Sequence, residues 1–218
     1  MKQLRFDLHV HTRRLSEDAT LDPFAAAERL LALGYAGFAI TEHDAVWPEP
    51  WLAELRRATP LVIIRGLEIQ TEEVGHVLVY GWDDEPIWRY HRLARLMDAV
   101  RRKGAAAAVA HPYRRRSAPW GTPADPASAA ALLPWWRMAG GVEARNGRAS
   151  PEENRLAAAL AARLGGLAVA GSDAHRLEDL GRAATLLPAG VRTQEEALAA
   201  LRNRSVRVDT GEGNEACG

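Results

Sequence analysis

The residues that could do chemistry are histidines and acids at the ends of short apolar runs. Phe6–Thr12 reads FDLHVHT, an alternating, β-rich stretch that ends in two histidines at i and i+2. Side chains two apart on a strand share one face. His9 and His11 would therefore project together from one strand end and could grip one cation. Further along, the chain offers Asp18, His43 in ITEHD, Glu68 in RGLE, His76 in GH, His111 in AHP, and Asp173 with His175 in GSDAH. Six of the seven histidines stand at such places; His91, between Arg89 and Arg92, reads as a surface residue. Imidazole nitrogen with carboxylate oxygen suits zinc, manganese or iron, and no thiolate is offered. These nine candidates, His9, His11, Asp18, His43, Glu68, His76, His111, Asp173 and His175, are too many for one ion. The arithmetic points to two or three divalent ions.

Strands must present these groups. Phe6–Thr12 is expected to be the first and Gly37–Thr41 the second, delivering His43. LVIIRGLE delivers Glu68, Gly75–Trp82 has His76 at its start, and AAAVAHP ends at His111. GVEARNG, GLAVAGSDAH, AATLLP and SVRVD complete the expected strands. Helices are expected after Thr20 or Asp22 with Pro23 in the first turn, over Glu49–Ala58, over Ile87–Lys103 up to Gly104, up to Met138 with Pro134 as a break, over Pro151–Leu164, and in TQEEALAALRN. Such alternation implies an α/β fold with parallel strands. Ligands at successive strand ends converge best in a closed barrel, whose C-terminal strand ends carry chemistry. One domain over residues 1–209 is expected, with a loose tail over 210–218.

In this order the motifs resemble those of the PHP (polymerase and histidinol phosphatase) family of metal-dependent phosphoesterases, over roughly Met1 to Asp209. The resemblance implies a distorted seven-stranded (β/α) barrel. It implies one ion on His9, His11, Glu68 and Asp173, a second shared by Glu68 with His76 and His111, and a third on Asp18, His43 and His175. The family often shows Ser-Asp-Gly where this chain has Glu17-Asp18-Ala19, so Glu17 is an alternative to Asp18. The implied reaction is hydrolysis of a phosphate mono- or diester by in-line attack of a metal-bridged hydroxide, with Asp173 or His175 assisting proton transfer. Arg114 leaves the expected barrel three residues after His111, through Pro112, and a guanidinium forks onto phosphate. Arg145 and Arg148, around Asn146, are further candidates for the same task. Glu42 and Asp44 flank His43; either could orient an imidazole or be a solvated loop acid. Trp135 and Trp136, after Leu132 and Leu133, read as packing residues or a dimer patch.

Lys+Arg and Asp+Glu both total 28, so net charge makes no case for a nucleic-acid or membrane partner. The expected partner is a small phosphorylated substrate, nucleotides included. Cys217 is the sole cysteine, which excludes a disulfide framework. With no signal-peptide pattern and no apolar run long enough for a membrane span, the expected home is the cytoplasm. Two rivals remain. Amidohydrolases of the urease type also open with H-x-H, but many bridge their metals with a carboxylated lysine. Here the only lysines are Lys2 and Lys103, and the bridging position is Glu68. A non-catalytic PHP module is the other rival, and there the ligand set is often eroded. The ligand arithmetic predicts two to three equivalents of transition metal in purified protein. Elemental analysis finding less than one, even after reconstitution with zinc, manganese and iron, would remove the metal reading.

Overall fold

The computed structural model describes residues 3–83, 87–114 and 134–210. Its elements follow as β1 (Leu4–Val10), α1 (Pro23–Ala32), β2 (Gly37–Ile40), α2 (Glu49–Ala58), β3 (Val62–Thr71), β4 (Gly75–Tyr80), α3 (Leu93–Lys103) and β5 (Ala106–Val109). After these come α4 (Pro134–Ala139), β6 (Gly141–Asn146), α5 (Pro151–Leu164), β7 (Leu167–Gly171), β8 (Thr185–Leu187), α6 (Gln194–Arg202) and β9 (Arg207–Val208). Arg115, Arg116, Leu132, Leu133 and the tail over 211–218 lie outside the described residues.

Several helix ends are written locally. Asp22 accepts the N–H groups of Phe24 at 2.9 Å and Ala25 at 3.2 Å, just ahead of Pro23. Ser150 with Glu153, and Thr193 with Glu196, form reciprocal caps for α5 and α6. Gly104 ends α3 at φ +63, a left-handed conformation that favours glycine. One expectation fails here. Instead of one helix over Ile87–Lys103 there is a 3-10 turn at Ile87–Tyr90, and α3 starts only at Leu93. The turn between β3 and β4 sets that start: Glu73 accepts the Leu93 N–H at 2.9 Å, and the Glu72 N–H donates to the His91 carbonyl at 2.9 Å.

The sheet runs β7-β6-β5-β4-β3-β2-β1-β8-β9. β1, β2 and β3 are parallel, as are β5, β6 and β7, but β4 is antiparallel to both its neighbours. The expectation of parallel strands therefore fails at β4. Only Glu72–Val74 separate it from β3, and a parallel return needs a crossover of about a dozen residues or more. The reversal has a use: it places His76, at the start of β4, at the pole where the other strands end.

The seventh strand closes on the first. Beyond β7, Val10 bridges Ala174, the Asp173 N–H donates to the His9 carbonyl at 2.8 Å, and the His11 N–H donates to the Ala174 carbonyl at 3.0 Å. The result is a nearly closed barrel. Among the described residues the sheet has nine strands, two more than the seven of the barrel that the resemblance implies, because AATLLP and SVRVD add β8 on the first half of β1 and β9 on β8. β1 thus changes partners midway, from β8 to the extension of β7. At that fork Asp7 accepts the Ser172 N–H at 2.8 Å, and Thr185 Oγ1 accepts the Ala170 N–H at 2.7 Å, so buried backbone donors stay satisfied.

Inside the barrel pack Phe6, Leu8, Ala39, Ile64, Leu78, Tyr80, Ala106 and Ala108, with Leu198 and Leu201 of α6 in the same cluster. Outside, α1 and α2 cover β1 and β2, while α3, α4 and α5 cover β3 to β6. Trp136 is buried in that second layer with Trp135 packed against it, in keeping with a packing role. No helix among the described residues is long and apolar enough to cross a membrane.

Closure leaves no room at Gly171, where an added Cβ would stand 2.4 Å from both N and Cβ of His9. Gly171→Ala should therefore destabilise the fold by about 1–3 kcal/mol or more. Gly190, with nothing within 4 Å, is the matched control. Urea midpoints should separate the two; equal midpoints would mean that β7 does not close on β1 this tightly.

Candidate metal centre

All nine candidate ligands stand at one pole of the barrel. Their centre is the Glu68 carboxylate, 1% exposed. Its Oε1 lies 2.9 Å from His111 Nε2 and 3.1 Å from His76 Nδ1; its Oε2 lies 3.0 Å from His43 Nδ1. His9 Nε2 and His11 Nε2 approach the same carboxylate at 3.5 Å. Asp173 Oδ1 is 3.5 Å from both of these nitrogens and has no hydrogen-bond partner despite being buried. Asp18 Oδ2 is 2.9 Å from His175 Nε2 and 3.5 Å from His43 Nε2. Asp18 therefore faces the cluster.

The hydrogen bonds around H-x-H set its proton positions. Burial alone would raise the Glu143 carboxyl, but His9 beside it holds it below the usual range, so it is an acceptor. His9 Nδ1, 2.9 Å from Glu143 Oε1, therefore carries a proton. Ser16 donates its one hydroxyl proton to Glu42 at 2.5 Å, so its oxygen is left to accept, and His11 Nδ1 at 3.2 Å carries a proton too. Both Nε2 atoms then point into the centre, only 2.9 Å apart. Two lone pairs do not sit at that distance without a cation between them. In the metal-free chain a proton serves: burial would lower the His9 pKa, but Glu143 and Glu68 outweigh it and raise it to about 9. His11 goes the other way, held well below its ordinary value by burial and by neighbouring imidazoles.

That arrangement is what a divalent ion needs. With ligand bonds of about 2.0–2.1 Å, donors stand about 2.9 Å apart at right angles and about 3.4 Å apart at the tetrahedral angle, a range close to the 2.9 Å between His9 and His11 and the 3.5 Å from these to Glu68 and Asp173. Three sets of donors converge closely enough to hold an ion: His9, His11 and Asp173; His9, Glu68 and His111; His11, His43 and His175. Burial also keeps His175 neutral, with its pKa down to about 4, and lowers that of His111.

Other candidates divide. Arg114 reaches the cluster and pairs with Asp173 Oδ2. Arg148 reaches it as well, 2.9 Å from His175 Nδ1. Arg145 points away, toward the Thr210 carbonyl, and His91 lies outside the cluster beside Asp44. Of the two acids flanking His43, Glu42 orients an imidazole: it holds Ser16, which holds His11, and it also accepts from Thr12 and Trp47. Ser16, Glu143 and Asn146 were not singled out in the sequence. For Glu143 a signal existed, since an acid between Val142 and Ala144 in a buried strand must have partners.

A family model described as PHP-associated matches residues 151–206, which include Asp173 and His175. No curated protein matches the chain. Among solved structures, a two-domain Bacteroides vulgatus protein containing a predicted PHP-like metal-dependent phosphoesterase is similar, with TM-score 0.69 and 19% identity over 95% of this chain. The chain spans 65% of that protein's length. An amidohydrolase from Chromobacterium violaceum, solved with sulfate and no metal, gives TM-score 0.59 and 21% identity over 95% of this chain and 99% of its own. A lesion-specific endonuclease from Pyrococcus furiosus gives 0.60 and 14%, over 95% and 58%. The shared property is the fold.

Glu68 serves several histidines at once. Glu68→Ala should cost metal at two places together, and His91→Ala should cost none. Metal stoichiometry that is unchanged in Glu68→Ala would remove its bridging role.

Proposed function

We propose that this chain, a PHP-type domain by fold, is a metal-dependent phosphoesterase that takes a small phosphorylated substrate. Two to three divalent ions, zinc, manganese or iron by their ligand types, would supply an activated water and a polarised phosphoryl oxygen. His9, His11, Glu68, His111 and Asp173 would hold two of the ions, with His76 beside Glu68. Asp18, His43 and His175 would hold the third. We place the protein in the cytoplasm on its lone cysteine.

The observation that carries the phosphate reading is the contest for His175 Nδ1. Both the Asp173 carbonyl and Arg148 Nη1 lie 2.9 Å from it. A carbonyl only accepts and a guanidinium only donates, so Nδ1 can satisfy one of them. When His175 Nε2 offers its lone pair to an ion, Nδ1 carries the proton and donates to the carbonyl. Arg148 then has a donor directed at the rim of the cluster and no acceptor there. Arg114 stands on the other side, at Asp173. Two guanidinium groups beside a cationic centre favour a substrate that brings its own negative charge. A phosphoryl group does; a neutral amide does not.

Each guanidinium should contribute one charge-assisted hydrogen bond, about 1.5–3 kcal/mol, or roughly a tenfold to hundredfold change in kcat/KM. Arg114→Ala and Arg148→Ala should keep their metals and lose that much on a phosphate ester, while Arg145→Ala should match wild type. Small and equal effects at all three would return these arginines to solvated loop residues. Hydrolysis of a neutral amide by the wild type, with no phosphate ester cleaved, would assign the chain to the amidohydrolases.

A further inference from the structure

Six of the seven strands that close the barrel deliver a candidate ligand at or just beyond the histidine pole: β1, β2, β3, β4, β5 and β7. β6 delivers none. In its place are Glu143 and Asn146, 0% and 1% exposed. Neither touches the centre of the cluster, yet both touch its ligands.

Three donors meet the one carboxylate of Glu143. His9 Nδ1 lies 2.9 Å from Oε1; the His111 N–H and Asn146 Nδ2 lie 2.8 Å and 3.0 Å from Oε2. Asn146 Nδ2 also stands 3.2 Å from Asp173 Oδ2. The orientation of this amide is fixed from the other side, because Asn146 Oδ1 accepts the Arg148 N–H at 2.9 Å. Asn154 of α5 in turn pins the Asn146 backbone, accepting its N–H at 2.8 Å and donating to its carbonyl at 3.1 Å.

The ligands held in this way include two that need holding. His111 has φ +25 and Asp173 φ +56, left-handed conformations that non-glycine residues adopt at a cost. Glu143 bonds the backbone N–H of the first, and Asn146 bonds the carboxylate of the second. One pair of residues on β6 therefore joins ligands from β1, β5 and β7.

We infer that Glu143 and Asn146 are the positioning residues of the metal centre, governing the places served by His9, His111 and Asp173 and leaving the place served by Asp18, His43 and His175 to others. The inference rests on the metal-dependent reading above. Its chemistry is specific to a carboxylate at position 143. Glutamine has a single oxygen, so in Glu143→Gln either the His111 N–H and Asn146 amide or the His9 Nδ1 proton faces an NH2 group. In the second case His9 must move its proton to Nε2, where it occupies the place of the ion.

The test is metal titration of stripped full-length protein with cobalt(II), following stoichiometry by elemental analysis and site geometry by visible absorption. Glu143→Gln should weaken two places by about tenfold to hundredfold, the usual effect of losing a ligand's hydrogen-bond partner. One place should keep wild-type affinity. Asn146→Ala should weaken the place that includes Asp173, and Ser16→Ala, which frees His11 and not His9, should weaken only the place that His11 shares with Asp173 and spare the one with His76 and His111. Melting of the metal-free variants should stay within a few degrees of wild type. Unchanged cobalt affinity in Glu143→Gln and Asn146→Ala overturns the inference. So does uniform loss at every place with a lowered metal-free melting temperature, which marks a merely structural role. A wild type that takes up less than one equivalent removes the metal reading itself, and the inference with it.

Discussion

Everything at the functional pole depends on one buried carboxylate. Glu68 is charged and enclosed by five imidazoles from four strands, and burial would ordinarily push its pKa up. His9, with a pKa raised to about 9, supplies the positive charge that prevents this. The pair is costly to desolvate and needs a full set of hydrogen bonds to persist. It gets them only because the barrel closes. His9 and Asp173 belong to strands that an open sheet would place at opposite regions of its width, and it is the contact of β1 with the extension of β7 that brings them to 3.5 Å.

The same closure divides the charges of the chain between two poles. Helices that lead into strands running toward the histidine pole end at the other pole, where their carbonyl dipoles favour cations. Arg101, Arg102 and Lys103 end α3, Arg137 ends α4, Arg163 α5 and Arg202 α6. Arg202 and Arg204 bond the carbonyls of Gly104 and Gly165 there. A net charge of zero thus conceals a polarity: most helix-terminal arginines serve the floor of the barrel, and Arg114 and Arg148 are set apart from them by standing among the ligands.

Much of this was legible in the sequence because the signals are local. H-x-H at a strand end, Asp22 before Pro23, Gly104 after Lys103 and the boundaries of α2 and α5 each need only their neighbours. What was not legible depends on tertiary contacts. The direction of β4 follows from a three-residue turn whose shortness matters only once β3 is known to run to Thr71. The late start of α3 is set by Glu73 across that turn. AATLLP and SVRVD could be read as strands, but not their pairing, in which β8 joins the first half of β1 and β9 joins β8. Asn146 carries no signal of its own, since its neighbours Arg145 and Gly147 resemble any loop.

The positions of strain follow from the same geometry. Of the four non-glycine residues with positive φ among the described residues, Asp44 adjoins His43, and His111 and Asp173 are themselves candidate ligands. A strand that simply continued would carry its side chains past the pole or turn them to alternate faces. Left-handed backbone at Asp44, His111 and Asp173 instead breaks the extended run at the pole. Such conformations persist only where surrounding structure holds them. At Asp44 the backbone N–H is held by the Glu68 carbonyl at 2.8 Å, at His111 by Glu143, and at Asp173 by the His9 carbonyl. Each of these three is fastened to another strand's ligand or to its support, so the groups that would bind an ion are also those that keep one another in place. Binding of an ion here would for that reason be coupled to local order at this pole.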